Sequence, residues 1–467
     1  MPSSGAAPNS GSRSQTIDVL RGMAILGMML SGCVPWDGLP AWMYHGQEPP
    51  PSHAFNPNLA ALTWVDLVFP FFIFSMGVAI PLALQASVNR GVSPLQSALN
   101  GLKRFALLVA FALINQHFRP YVLADSPSTS IWLIGLLGFL LVGLIYVRLP
   151  SDWPRWARAL VRVAGWAGVA FALSQLRFPS QTSPTFSLDR TDPIILVLAS
   201  VSFFGSLAWL ATRHNVQGRI LIMAMLLCLK LGSLQAGSWA QSVWNYGGPI
   251  GWFFHVSFLE YLLILLPGTV VGDWLGSNRA QEASDSAGWD VVRGTMAFGA
   301  IPICLFCFFD RVPSVYLLPY VGTLAWLGTR SKSTLTQSLL LWGSALVTLG
   351  ILLEPFEGGI KKDHPTLSYM LVTPGLAMLA LVVLTLFERY LPRSLTFKFL
   401  SATGQNPLLA YEALTNLVAP VWALTIGGWV SEHTPGAALG LGRAVLQTIF
   451  LGLVVSLFTR WKVYFRA

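Results

Sequence analysis

A histidine and an aspartate lie close together in the sequence, at the entrance of a long hydrophobic segment. His53 belongs to a polar, proline-rich loop, and Asp66 follows in the first turn of the apolar run after it. Histidine changes its protonation state near neutral pH, and a carboxylate at the mouth of a membrane helix is costly unless it has a partner or a task. The two residues therefore predict a base and an orienting acid at one end of a helical bundle.

Pro70 lies one turn beyond Asp66 in the same apolar run. Proline has no N–H to bond the backbone carbonyl one turn earlier, and inside a membrane that carbonyl must find another donor. We therefore expect a neighbouring element to bond it.

The composition indicates a membrane protein. Of the 467 residues, 54% are hydrophobic and only 10% are charged, against roughly 25% charged in soluble domains. Apolar runs of about 20 residues, the length that crosses a bilayer, recur from Ile17 to Phe458. The predicted fold is all-α: a polytopic bundle of roughly 12–14 transmembrane helices. A single domain is expected over 17–467, after a disordered cytoplasmic tail over 1–16.

The basic residues predict the orientation of this bundle. Most of the 29 Lys and Arg residues flank the spans at the ends that would be cytoplasmic if the N-terminus is inside. The positive-inside rule then predicts that both termini are cytoplasmic and that His53 faces the periplasm, across the inner membrane of a bacterium. The net charge of +9 follows from the same rule, so the expected partner is the lipid bilayer and not nucleic acid. The sequence leaves open whether copies associate into a homo-oligomer.

Several other polar residues interrupt apolar runs. Lys230, near mid-span, must pair, deprotonate or face water, which leaves a structural ion pair and a substrate path as alternatives. Glu260 stands in the first turn of the next span. Asp18 and Arg21 are three residues apart and hence on one helix face, either as interfacial anchors or as the wall of a pocket.

The segment Gly404–Pro407 (Gly-Gln-Asn-Pro) opens the penultimate span. A helix that starts in this way exposes backbone N–H groups and amide side chains, which can hold an anionic or nucleotide-like group. An ordinary helix cap is the alternative. Cys304 and Cys307 have a C-x-x-C spacing but apolar neighbours, so they are interpreted as packing residues, and no metal site is predicted.

Several of these segments, taken in order, resemble a known family. They are Asp18–Gly22, the histidine-bearing loop, Asp66–Gly77 (Asp-Leu-Val-Phe-Pro-Phe-Phe-Ile-Phe-Ser-Met-Gly), Leu367–Tyr369 and Gly404–Pro407. The pattern resembles the heparan-α-glucosaminide N-acetyltransferase family, and most closely its bacterial relatives called DUF5009.

The resemblance implies a multi-helix acyltransferase. Its co-substrate would be cytosolic acetyl-CoA, and the acetyl group would reach an amino sugar or another glycan acceptor on the other side of the membrane. His53, followed by Ala54, matches the catalytic histidine of the family. His45, in the same loop, is an alternative that the sequence leaves open.

The resemblance and the residue chemistry together predict three groups of site residues. An imidazole can take a proton from the acceptor or carry the acetyl group, with a carboxylate to orient it, and cations can hold the phosphates of CoA. The catalytic group is His53, Asp66 and Glu260; the CoA group is Arg21, Lys103, Arg104, Gln405 and Asn406; the acceptor group is Asn56, Asn58, Ser368 and Tyr369.

A transporter or permease for a sugar or a cell-wall fragment is the competing hypothesis. The intramembrane residues Lys230, Asp66 and Glu260 and the large number of helices favour it. Acetyl transfer that depends on the histidine would separate the two functions.

Overall fold

The computed structural model describes residues 15–179, 183–277, 285–392, 394–434 and 436–467. Within these ranges the chain forms α-helices, short 3₁₀ and π segments and no β-strand. The first ten helices are α1 (Gln15–Cys33), α2 (Trp64–Asn89), α3 (Pro94–Phe118), α4 (Pro120–Leu123), α5 (Thr129–Tyr146), α6 (Arg155–Gln175), α7 (Pro193–Thr212), α8 (Val216–Ser233), α9 (Trp239–Trp244) and α10 (Leu262–Ser277). The others are α11 (Ala287–Phe309), α12 (Leu318–Thr329), α13 (Thr334–Leu353), α14 (Leu367–Tyr390), α15 (Leu395–Gly404), α16 (Pro407–Ala413), α17 (Ala419–Leu424), α18 (Gly427–His433) and α19 (Ala437–Arg460).

Twelve helices in the described ranges are long and apolar enough to cross a membrane, which confirms the predicted polytopic helical fold. They are α1–α3, α5–α8, α10, α11, α13, α14 and α19. The two other predicted spans are shorter or broken. α12 has 12 residues after a 3₁₀ turn over Ser314–Leu317, and a π-helical turn over Leu414–Val418 separates α16 from α17.

The start of the chain differs from its prediction by two residues. Residues 1–14 of the predicted tail lie outside the described residues, and Gln15 and Thr16 already belong to α1. The side chain of Glu388 explains this early start, since its carboxylate accepts the backbone N–H groups of Gln15 and Thr16 at 3.3 Å each. These first N–H groups have no partner within the helix.

The start of α2 is fixed by a capping box. The hydroxyl and N–H of Thr63 both bond Asp66 Oδ2, at 3.1 and 2.9 Å. One turn later, Pro70 leaves the carbonyl of Asp66 without a helical donor, and the hydroxyl of Tyr369 on α14 donates to it at 2.9 Å. The neighbouring element that bonds the freed carbonyl is therefore α14. Of its membrane-spanning part 83% is buried, so α14 lies at the centre of the bundle.

The helices define two ends of the bundle. The His45 end carries the loop 34–63 before α2 and the loop 354–366 before α14. The basic end is where α2 finishes at Asn89 and α3 begins at Pro94. We use these two names below.

Candidate functional site

His45 lies between two carboxylates at the His45 end. Its Nδ1 is 3.4 Å from Asp66 Oδ1, and its Nε2 is 2.7 Å from Asp363 Oδ2. The side chain of Asp66 is fully buried, that of His45 is 13% exposed and that of Asp363 is 42% exposed. The imidazole therefore connects an acid inside the bundle with an acid that is open to the surroundings.

Asp66 uses its two carboxylate oxygens differently. Oδ2 accepts hydrogen bonds from the N–H groups of Thr63 and Gly46, the latter at 3.2 Å. Oδ1 is shielded from solvent and has no hydrogen-bond partner among the described residues; it faces His45. The helix cap thus fixes the carboxylate and leaves one oxygen facing the imidazole, where it can stabilise a positive charge on the ring.

Gln47, which is fully buried, joins the two loops of the site. Its N–H donates to His45 Nδ1 at 3.0 Å. Its side-chain amide donates to the carbonyl of Asp363 at 2.9 Å and accepts the N–H of Asp363 at 2.7 Å. The position of Asp363 beside His45 is therefore set by a residue two positions after the histidine.

The charge of Asp363 is stabilised by its neighbours. Burial alone would raise the pKa of Asp363, but the contact with His45 and the positive charges of Lys362, His45 and His364 outweigh burial and lower this pKa. Asp363 is therefore a carboxylate at neutral pH and can stabilise a protonated His45.

His53 occupies a different environment from the predicted one. Its Nδ1 lies 3.2 Å from the carbonyl oxygen of Glu48, and its Nε2 contacts the carbonyl oxygen of Trp36. Its ring packs edge-on against the rings of Trp36 and Tyr44. In the described chain no hydrogen bond or ion pair links His53 to Asp66. Both ring nitrogens thus face backbone carbonyls, and His53 fastens the loop at a distance from Asp66.

Glu260 and Lys230 form an ion pair. The Lys230 ammonium contacts the Glu260 carboxylate, and the two side chains are about nine-tenths buried. The ammonium also lies 5.6 Å from the centre of the Trp244 ring. Of the two alternatives for Lys230, the structure shows the ion pair, and Glu260 is engaged there and not with a histidine.

A cavity of about 1340 Å³ runs through the bundle from the basic end. At that end it is lined by helix-terminal residues such as Asn89, Arg213 and Ser277. At its other extreme it is lined by Phe69, which stands three residues after Asp66 on α2. Residues three apart on a helix are neighbours on one face. The cavity wall therefore includes a residue one turn away from the carboxylate that contacts His45.

Phe69, in the cavity wall, pairs with a second aromatic ring. The ring of Phe69 is 8% exposed and packs edge-on against Tyr261, with 5.5 Å between the ring centres. Tyr261 ends the 3₁₀ segment before α10.

The predicted CoA residues separate into two groups. Arg21, Arg104 and Gln405 line the cavity, together with Arg213 and Arg466. Arg21 is tied to its wall, because its guanidinium donates to the carbonyls of Gly404 and Ser75 and pairs with Asp18 at 3.4 Å.

Lys103 and Asn406 do not line the cavity. Lys103 is exposed on α3. Asn406 is buried, and its amide donates to the carbonyl of Val463 at 2.8 Å and accepts the N–H of Phe465 at 3.1 Å. Asn406 therefore holds the segment that carries Arg466 into the cavity wall, a positioning task that the helix-start pattern did not indicate.

The predicted acceptor residues also separate. Asn56 and Asn58 are exposed in the loop of the His45 end. Ser368 and Tyr369 are fully buried, and their hydroxyls donate to Thr366 Oγ1 and to the carbonyl of Asp66. The two buried residues support the start of α14 and its contact with α2.

Comparison with known families adds one finding. DUF5009, a domain of unknown function, matches residues 13–275, more than half of the chain. The chain belongs to the DUF5009 family. In this family member the matched region contains His45 and Asp66, whereas Asp363 lies beyond it. No curated protein matches the chain.

Sequence reasoning missed three contributors to the site: Gln47, Asp363 and Phe69. The loop 354–366 is visibly polar in the sequence, but nothing in its spacing singles out Asp363. Gln47 could be found only through its closeness to His45 in the chain.

Proposed function

We propose that the protein is a membrane-embedded acyltransferase. It would move an acetyl group from cytosolic acetyl-CoA to an amino sugar or another glycan acceptor at the His45 end, on the periplasmic side of a bacterial inner membrane. The observation that supports this best is the position of Phe69: it lines the cavity and lies one turn from Asp66, which contacts His45.

The cavity suits a long donor with a charged head. Arg104, Arg213 and Arg466 line it and can form charge-assisted hydrogen bonds with phosphate oxygens. Between Phe69 and Asn89, α2 advances about 30 Å. A donor bound along this path would keep its nucleotide at the basic end while its thioester approaches Phe69.

His45 would act as the general base. The acceptor nitrogen or oxygen gives its proton to the imidazole and bonds the thioester carbonyl carbon, the carbon–sulfur bond breaks, and the thiolate leaves with CoA. For Nδ1 to take this proton, the N–H of Gln47 must first leave it. The imidazolium then donates from Nδ1 to Asp66 and from Nε2 to Asp363, and the two carboxylates stabilise the positive charge that develops. Phe69 and Tyr261 must move aside for the acyl group to pass.

The test is acetyl transfer by the purified protein in lipid vesicles, with acetyl-CoA and a panel of amino sugars. We expect His45→Ala to lower the rate by about 10²–10⁴-fold, the usual contribution of a general base. His53→Ala is the matched control, since it removes a histidine from the same loop, and it should keep most of the rate per folded molecule. The assignment of His45 is wrong if His53→Ala abolishes transfer and His45→Ala does not.

A sugar carrier is the second candidate, because a large cavity within a bundle of helices is also what one state of alternating access requires. Exchange of labelled sugar across vesicles without CoA would support the carrier. Acetylation without such exchange supports the enzyme.

A further inference from the structure

Three arginines form a stripe at the beginning of α6. Arg155, Arg158 and Arg162 are separated by three and four residues, so they lie on one face of the helix, and Trp166 continues the same face one turn further on. Arg155 and Arg162 are exposed, and Arg158 is half-buried. We call Arg155, Arg158 and Arg162 the arginine stripe.

The arginine stripe has no protein counter-charge. In the ranges that the structure covers, no carboxylate lies within 4.0 Å of any of its guanidinium groups, and Arg158 Nε is shielded from solvent without a hydrogen-bond partner. Other helical arginines differ: Arg219 pairs with Asp273 at 2.5 Å, and Arg293 pairs with Asp285 at 2.8 Å. Three arginines on one helix face with no carboxylate beside them can bind an anion from outside the protein.

The stripe lies where the side of α6 that packs on the protein meets the side that faces lipid, since Arg155 and Arg162 are exposed and Arg158 is half-buried. Only Gly165 and Val169 of α6 are buried, so most of this helix lies on the periphery. Arg162 stands about 10 Å along the helix from Arg155, since each residue adds 1.5 Å. A charged side chain at that depth extends toward the lipid headgroups, where phosphate is available. Trp153 and Trp156 are 43% and 71% exposed, as is usual for tryptophan at a membrane interface.

We propose that the arginine stripe is a binding site for one anionic phospholipid at the basic end. The phosphate diester lies among the three guanidinium groups, whose planar N–H pairs match phosphate oxygens. The acyl chains lie along Trp166 and Val163, which are 40% and 61% exposed. This site is separate from the cavity and does not depend on the proposed acetyl transfer.

The experiment measures lipid binding by native mass spectrometry of the intact protein with phosphatidylglycerol or phosphatidylcholine. Each basic residue near a membrane surface contributes about fivefold to the binding of anionic lipid. Replacing all three arginines by glutamine should therefore weaken phosphatidylglycerol binding about a hundredfold. Phosphatidylcholine binding should change much less, because its choline cation offsets the charge of its phosphate. The single variant Arg162→Gln should weaken it about fivefold, which keeps the test decisive if the triple variant folds poorly.

The matched control replaces Arg90, Arg330 and Arg460, three exposed arginines at helix ends outside α6, by glutamine. It removes the same charge. An equal loss of phosphatidylglycerol binding in both triple variants would mean that the protein attracts anionic lipid through its overall charge, and it would overturn the proposed site. Excess inorganic phosphate should not displace the lipid, because the acyl chains contribute to binding. If inorganic phosphate displaces the lipid and binds as tightly as the lipid does, the stripe is a site for free anions and the proposal is overturned.

Discussion

At the residue scale, the site depends on a carboxylate with two separate contacts. Asp66 Oδ2 closes the capping box of α2, and Asp66 Oδ1 lies 3.4 Å from His45 Nδ1. The start of α2 therefore fixes the position of the Asp66 carboxylate, and no other contact is needed to keep Oδ1 facing the imidazole.

Asp363→Asn should lower the stability near neutral pH by about 0.5 kcal/mol, the usual worth of a partly exposed ion pair. The native pKa of Asp363 is lowered. Its contribution is therefore present above its ordinary value of 3.8 and is lost as the pH falls through the native pKa. Unfolding of the wild type and the variant at a series of pH values checks this.

Asp152→Asn, in an exposed turn, is the matched control and should show no such dependence. A stability difference between the wild type and Asp363→Asn that stays constant at low pH would contradict the prediction.

The choice between His45 and His53 could not be made from the sequence. Both belong to one loop, and His53 lies nearer to Asp66 along the chain. The path of the loop turns His53 toward the carbonyls of Trp36 and Glu48 and brings His45 to Asp66. Such a path depends on contacts with a second loop through Gln47, which single-sequence patterns do not contain.

At the element scale, α2 shows what can be predicted. The proline in its second turn indicated that a donor from elsewhere would bond the freed carbonyl, and Tyr369 of α14 is that donor. The identity of the partner helix was not predictable, because contacts distant in sequence leave no local pattern. For the same reason α16 and α17 were expected as one span, although a π turn divides them.

Tyr369→Phe should destabilise the protein by about 1–3 kcal/mol, because it leaves the buried carbonyl of Asp66 without a donor. Tyr369→Phe should cost less stability in a protein that already carries Pro70→Ala. In that background the new N–H at position 70 can bond the carbonyl of Asp66 within the helix.

A double-mutant cycle on unfolding free energies measures this coupling. Equal losses in both backgrounds would show that the Tyr369 hydroxyl does not replace the missing helical donor.

At the scale of the whole molecule, α1 and α15 cross with their backbones in direct contact. A Cβ on Gly404 would lie 1.8 Å from the carbonyl oxygen of Asp18, and one on Gly22 would lie 2.0 Å from that of Leu400. No side chain can be added at either position without moving a helix. This crossing holds α1 against the segment that leads to the cavity residue Gln405.

Gly404→Ala should therefore destabilise the protein by about 3 kcal/mol or more, through overpacking of backbone against backbone. Gly442→Ala on α19 is the control, since its Cβ would meet no atom within 4 Å. That change should stabilise the protein by up to about 1 kcal/mol, because alanine is the better helix former.

Thermal unfolding of the two glycine variants in detergent compares them directly. Equal melting temperatures would mean that α1 and α15 can move apart enough at the crossing to accept a side chain.

The edge-on pair of Phe69 and Tyr261 has a consequence for the cell that contains the protein. A wide water-accessible chamber that continued to the opposite surface would conduct protons and small ions and would dissipate the membrane potential. The proposed acetyl transfer therefore requires that the pair of Phe69 and Tyr261 keep such a path shut to ions until an acyl group arrives.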